Sequence, residues 1–298
     1  MRGMNTRQAT KWTIIFFALL AFTTACSPSD QLVPSPTPFS PTSTPQIDIT
    51  SSVSTNTSPS TPLTCLTQPG HVEVGKLEST NPPQEYRIYL PPCYDEQTDK
   101  RYPVLYLLHG QTYNSDQWIR LGAVDVLDQL ILSGASQPFI IVFPNDRYWV
   151  GPIANGFGER LTDALVPFID ETYRTIPNRS HRAIGGLSRG SGWALRLGLT
   201  RTDLFSVIGL HSLAVFQQDG SKIEQWTEKI PPSSRPTIFM DSGDGDPEVD
   251  MALSVVDIFT QNSIPLEWHL YTGAHTEEYW HAHLAEYIGW YASQWNQP

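Results

Sequence analysis

The sequence predicts a single α/β domain with a mostly parallel sheet and helices on both faces, and three observations predict it. Short apolar runs alternate with longer amphipathic segments from Gln84 to Trp295. The runs Val104–Leu108 and Phe139–Phe143 are apolar at every position, as strands buried on both faces should be. The chain has 298 residues, 40% hydrophobic and 16% charged, enough for one large core without a metal or a dense set of cross-links.

From the N-terminus, Arg2, Arg7 and Lys11 precede an apolar run from Trp12 to Phe22, and small residues follow as far as Cys26. That is the layout of an export signal over residues 1–26, with a run shorter than the about 20 residues needed to cross a bilayer. Residues 27–62 are dominated by Ser, Thr and Pro, with only Asp30 and Asp48 charged. Such a segment buries too little apolar area to fold and is expected to act as an extended tether. The folded domain is expected over residues 63–298.

Within it, Leu63 to Pro92 is poor in helical pattern and is expected to add antiparallel strands at one sheet edge. Strands are predicted at Tyr86–Leu90, Val104–Leu108, Phe139–Phe143, Ala183–Gly186, Ser206–Leu210, Thr237–Asp241 and Leu266–Tyr271. Helices are predicted at Asp116–Leu132, Gly158–Tyr173, Ser191–Leu199, Glu248–Gln261 and Glu277–Trp295, where apolar residues recur near every 3.6 positions. Besides Cys26 the cysteines are Cys65 and Cys93, a count that suits one disulfide in an oxidising compartment; the alternative is two free thiols. Acidic residues number 30 against 19 Lys and Arg, for a net charge of −11, which repels phosphate backbones and argues against a nucleic-acid partner.

The chemistry concentrates in a few segments. Gly186-Leu187-Ser188-Arg189-Gly190 follows a predicted strand and opens a predicted helix. A sharp turn there would lift the Ser188 hydroxyl over the sheet end as a nucleophile, and the flanking glycines would leave room for it. A serine needs a base to take its proton and an acid to orient that base, in the chain order Ser, Asp or Glu, His. Asp246, in the loop after Thr237–Asp241, is the expected acid. Asp244 is the second candidate, and Asp241 is expected to end its strand as a structural carboxylate. The acidic cluster lacks the ligand spacing of a calcium-binding helix-loop-helix. Of the C-terminal histidines, His275 follows Gly273-Ala274 just after the last strand and is the expected base. His269 lies within that strand, and His281 and His283 fall on a helix in different directions. Transition-state charge would be held by the backbone N–H of Arg189 and of Gln111, in the loop opened by His109-Gly110.

Two resemblances add to this. Phe22-Thr23-Thr24-Ala25-Cys26 resembles a bacterial lipobox, which implies lipidation of Cys26 and a membrane anchor; an ordinary cleaved signal is the alternative. The succession Tyr89-Leu90-Pro91-Pro92, Tyr106-Leu107-Leu108-His109-Gly110, Gly185-Gly186-Leu187-Ser188-Arg189-Gly190, Gly243-x-x-Asp246 and Gly273-Ala274-His275-x-x-x-Tyr279-Trp280 resembles the esterase D and feruloyl esterase superfamily. That group also holds enterochelin esterases, S-formylglutathione hydrolases and mycolyltransferases. The resemblance implies an α/β-hydrolase fold, no cofactor, the same Ser188, Asp246 and His275, and oxyanion donors at Gln111 and Arg189. It further implies that the segment Asn145-Asp146-Arg147-Tyr148-Trp149 lies beside the site, with Tyr148 and Trp149 as pocket candidates. The expected partner is a small-molecule or glycan ester outside the cytoplasm. Acyl transfer to a sugar or lipid alcohol, and a tethered binding protein without turnover, are the rival expectations.

Overall fold

Residues 64–296 are described by the structure, a computed structural model. The export signal, Cys26 and the tether lie outside the described residues. Eight strands form one sheet: β1 (His71–Leu77), β2 (Gln84–Leu90), β3 (Val104–Leu108), β4 (Ile140–Pro144), β5 (Arg182–Leu187), β6 (Val207–His211), β7 (Thr237–Gly243) and β8 (Leu266–Tyr271). Their spatial order is β1-β2-β4-β3-β5-β6-β7-β8. The pairs from β4 through β8 are parallel, whereas β1 pairs β2 and β2 pairs β4 antiparallel. The expected antiparallel edge is therefore present.

The helices are α1 (Gln117–Arg120), α2 (Ala123–Leu132), α3 (Phe157–Glu159), α4 (Val166–Thr172), α5 (Arg189–Thr200), α6 (Ile223–Glu228), α7 (Val249–Gln261) and α8 (Glu277–Ser293). Two hydrophobic cores lie on opposite faces of the sheet, and strand alternation divides the residues between them. Val104, Tyr106 and Leu108 of β3 enter the core shared with Leu161, Trp193, Leu197 and Phe259. Leu105 and Leu107 enter the other, with Trp118, Leu127, Tyr287 and Tyr291. All five positions of β3, β4 and β6 are buried, which is why those segments carry no polar alternation.

Two predicted helices differ from expectation. The single helix over Asp116–Leu132 is α1 and α2, separated at Gly122, whose φ of 98° is left-handed and cannot continue a right-handed helix. The helix over Gly158–Tyr173 is interrupted by a π-helical stretch, Arg160–Leu165, between α3 and α4. Cys65 and Cys93 form a disulfide. Among the described residues no helix is long and apolar enough to cross a membrane.

Candidate active site

Ser188 sits between β5 and α5 with φ 54° and ψ −122°, a backbone conformation a non-glycine residue holds only when its surroundings enforce it. The enforcement is close packing. A Cβ on Gly186 would lie 2.4 Å from the carbonyl carbon of Gly190, and one on Gly190 would lie 2.2 Å from the Leu108 oxygen. Glycine at both places thus lets the turn close against the end of β3. The Ser188 N–H donates to the His211 carbonyl at 2.9 Å, and its own carbonyl accepts from Gly192 N–H and the Ser191 hydroxyl.

The loops at the C-terminal ends of β7 and β8 bring two partners to this hydroxyl. His275 Nε2 lies 2.7 Å from Ser188 Oγ, and His275 Nδ1 lies 2.8 Å from Asp246 Oδ2. A carboxylate only accepts, so Nδ1 carries the proton and Nε2 is the acceptor for the serine O–H. Asp246 is buried. Burial pushes its carboxyl up, but hydrogen bonds from His275 and the Glu248 N–H, with the Ser212 hydroxyl, outweigh it and hold the group below the ordinary carboxylate value. The ring of Trp280 meets that of His275 edge-on at 5.2 Å, and Trp280 Nε1 donates to Ser212 Oγ.

The other acidic and histidine candidates are elsewhere. Asp241 is wholly buried and accepts from Tyr279 and Tyr287, with His211 Nδ1 at 2.8 Å. Asp244 is exposed and accepts from the Gly273 N–H. His269 packs against Phe239 and Tyr271, His283 stacks on Tyr271, and His281 Nδ1 contacts the Leu121 carbonyl.

A cleft of about 450 Å³ holds Ser188, His275, Gln111 and Arg189, walled by Pro152, Glu248 and the segment Ala214 to Gln218. Among the described residues the backbone N–H groups of Gln111 and Arg189 donate to no protein acceptor. Arg189 opens α5, so its N–H lies at the positive end of that helix. Gly110, beside Gln111, is fixed by its N–H donating to buried Gln117 Oε1 at 2.8 Å. Tyr148 and Trp149 are not brought into this cleft: Trp149 is 65% exposed and borders a separate depression with Arg147 and Arg160, and Tyr148 packs edge-on against Trp149.

Sequence reasoning missed the cleft wall after β6, Ala214 to Gln218, which carries no motif. The signal available was its position, since ligands of open parallel sheets gather beyond the carboxyl ends of the strands. It also missed the buried partners of Asp146, described below.

Comparison with known proteins agrees with the architecture. A ferulic acid esterase of known structure is 26% identical, superposes with a TM-score of 0.69, and is matched over 76% of this chain and 100% of its own. The S-formylglutathione hydrolase of Staphylococcus aureus is 18% identical with a TM-score of 0.61, is matched over 75% of this chain and 97% of its own, and shares the fold. An endo-1,4-beta-xylanase/feruloyl esterase of Xylanibacter ruminicola is 33% identical over 156 residues, 49% of this chain and 22% of that protein, so the chain spans only about a fifth of that relative. An esterase of Mycobacterium tuberculosis is 30% identical over 148 residues, 47% of this chain and 31% of that protein. The family profile described as "Putative esterase" matches residues 78–291, and the chain belongs to this Esterase family.

Proposed function

We propose that the protein hydrolyses a carboxylic ester through an acyl-enzyme on Ser188. The observation that carries this is the unbroken line of hydrogen bonds from Ser188 Oγ through His275 to buried Asp246, at 2.7 and 2.8 Å. Ser188 Oγ attacks the ester carbonyl carbon as His275 Nε2 takes its proton, and Asp246 holds the imidazole in the required tautomer. The carbonyl oxygen gains charge and is met by the N–H groups of Gln111 and Arg189. The carbon–oxygen bond to the alcohol then breaks, with His275 returning the proton to the departing oxygen. Water, deprotonated by the same imidazole, attacks the acyl-enzyme and releases the acid and the free serine.

The relatives include feruloyl esterases, so hydroxycinnamoyl esters head the panel of substrates. Ser188→Ala is expected to lower turnover by roughly 10⁴-fold or more with circular dichroism and melting temperature unchanged. A fluorophosphonate should label the wild-type chain at Ser188 and leave the variant unlabelled; a variant that keeps most of its turnover overturns the assignment. Residues 1–26 and the tether 27–62 support export and a lipid anchor at Cys26, with residues 63–298 as the catalytic domain. Fractionation of cells expressing Cys26→Ser should move the protein from the membrane to the soluble extracytoplasmic fraction, and unchanged membrane retention would refute the anchor.

A further inference from the structure

The two proposed oxyanion donors come from loops after different strands, and one residue outside both is bonded to each. Asp146, just after β4, donates its backbone N–H to His109 Nε2 at 2.9 Å. His109 Nδ1 in turn donates to the Gly110 carbonyl at 2.7 Å, which fixes the peptide that supplies the Gln111 N–H. Burial holds the His109 imidazole below the ordinary histidine range, in keeping with a neutral ring that accepts at Nε2.

On the other side, the Asp146 carboxylate accepts from Arg189 Nε at 2.6 Å and from Trp193 Nε1 at 2.9 Å through the same oxygen. Its second oxygen accepts from Asn155 Nδ2, and Asn155 is itself held by Arg160. Asp146, Arg189 and His109 are all at least nine-tenths buried. Arg189 therefore turns its side chain into the protein to Asp146 while the residue itself lines the cleft at the start of α5. Buried polar networks whose groups are all bonded define one geometry, whereas surface pairs do not.

We propose that Asp146 is a positioning residue for the reaction: it sets the separation of the Gln111 and Arg189 N–H groups through its own backbone on one side and its carboxylate on the other. This rests on the assignment of Ser188 as nucleophile. The role differs from simple stabilisation because it acts on the transition state, where a misplacement of about 1 Å can cost about 100-fold in rate.

The test uses Asp146→Asn in the full chain, with active sites counted by fluorophosphonate titration and kcat expressed per titrated site. The expected result is a kcat about 10- to 100-fold lower with KM changed less than about 2-fold, and a parallel fall in the rate of phosphonate labelling, whose tetrahedral adduct needs the same donors. A wild-type kcat per titrated site, with only the melting temperature lowered, would overturn the proposal. If Asp146→Asn fails to fold, the same readout on His109 decides: His109→Phe should show the kcat loss, and His109→Gln, whose amide oxygen can accept the Asp146 N–H, should restore it. Equal kcat in those two variants overturns the proposal. Absence of labelling in the wild-type chain would instead remove the underlying assignment of Ser188.

Discussion

Asp241 and Asp246 are both buried, and their partners give them different roles. Asp241 is wholly enclosed in the core, where Oδ2 accepts from two tyrosine hydroxyls and Oδ1 lies 2.8 Å from His211 Nδ1, so its bonds go to fixed core residues. Asp246 lies behind His275, which lines the cleft, and gives one oxygen to that imidazole. Its folded-state pKa lies below the ordinary value of 3.8, so in acid the unfolded chain takes up this proton before the folded one does. The sign follows: the contribution of Asp246 to stability is complete above the unfolded value and is lost as pH falls through the folded one. Urea titrations at pH steps from about 6 to 2 should show the wild-type unfolding free energy falling more steeply below about pH 4 than that of Asp246→Asn. Parallel curves for the two proteins would show that this carboxyl is not held in its charged form by the fold.

The inner strands were legible because burial on both sheet faces leaves an uninterrupted apolar signature, and β3, buried at all five positions, falls on the predicted Val104–Leu108. Helix interruptions were not. Gly122 in the middle of an amphipathic pattern costs only about 1 kcal/mol in a helix, so sequence periodicity runs through it, whereas the structure uses its left-handed φ to turn α1 into α2. The π-helical stretch at Arg160–Leu165 places Arg160 where it bonds Asn155 and Gln84, a long-range requirement with no local trace. The same division holds at the site. Ser188, Asp246 and His275 announce themselves through a strained turn and a chain order, because strand ends and glycines are local features. The pairing of Asp146 with Arg189 joins the ends of β4 and β5 and depends on the whole sheet order, so the segment around Asp146 pointed to a neighbourhood but not to its mechanism.

Sheet direction separates what shapes the site from what anchors the domain. The loops that carry Gln111, Ser188, Asp246 and His275 all leave the carboxyl ends of the parallel strands β3, β5, β7 and β8. Because β2 runs antiparallel to β4, with Tyr86 opposite Pro144 and Tyr89 opposite Ile141, the chain leaves β2 at the opposite end of the sheet. Cys93 stands just beyond that exit and is tied to Cys65, which precedes β1. The edge strand β1 is mostly exposed and pairs with β2 alone, so little apolar burial holds it. The disulfide, with the Gly70 N–H donating to Asp128 Oδ1, pins its entry. Closing a loop with a sequence separation of 28 stabilises by about 3 to 4 kcal/mol in the chain-entropy model. The double variant Cys65→Ser and Cys93→Ser should therefore lose about that much in guanidinium unfolding. Under conditions where both proteins are folded, its kcat/KM should match the wild type, since the bond lies at the sheet end away from Ser188. An unfolding midpoint unchanged by the double substitution would remove the anchoring role. A drop in kcat/KM of the folded variant would show that the edge β1-β2 hairpin is coupled to the cleft through β4.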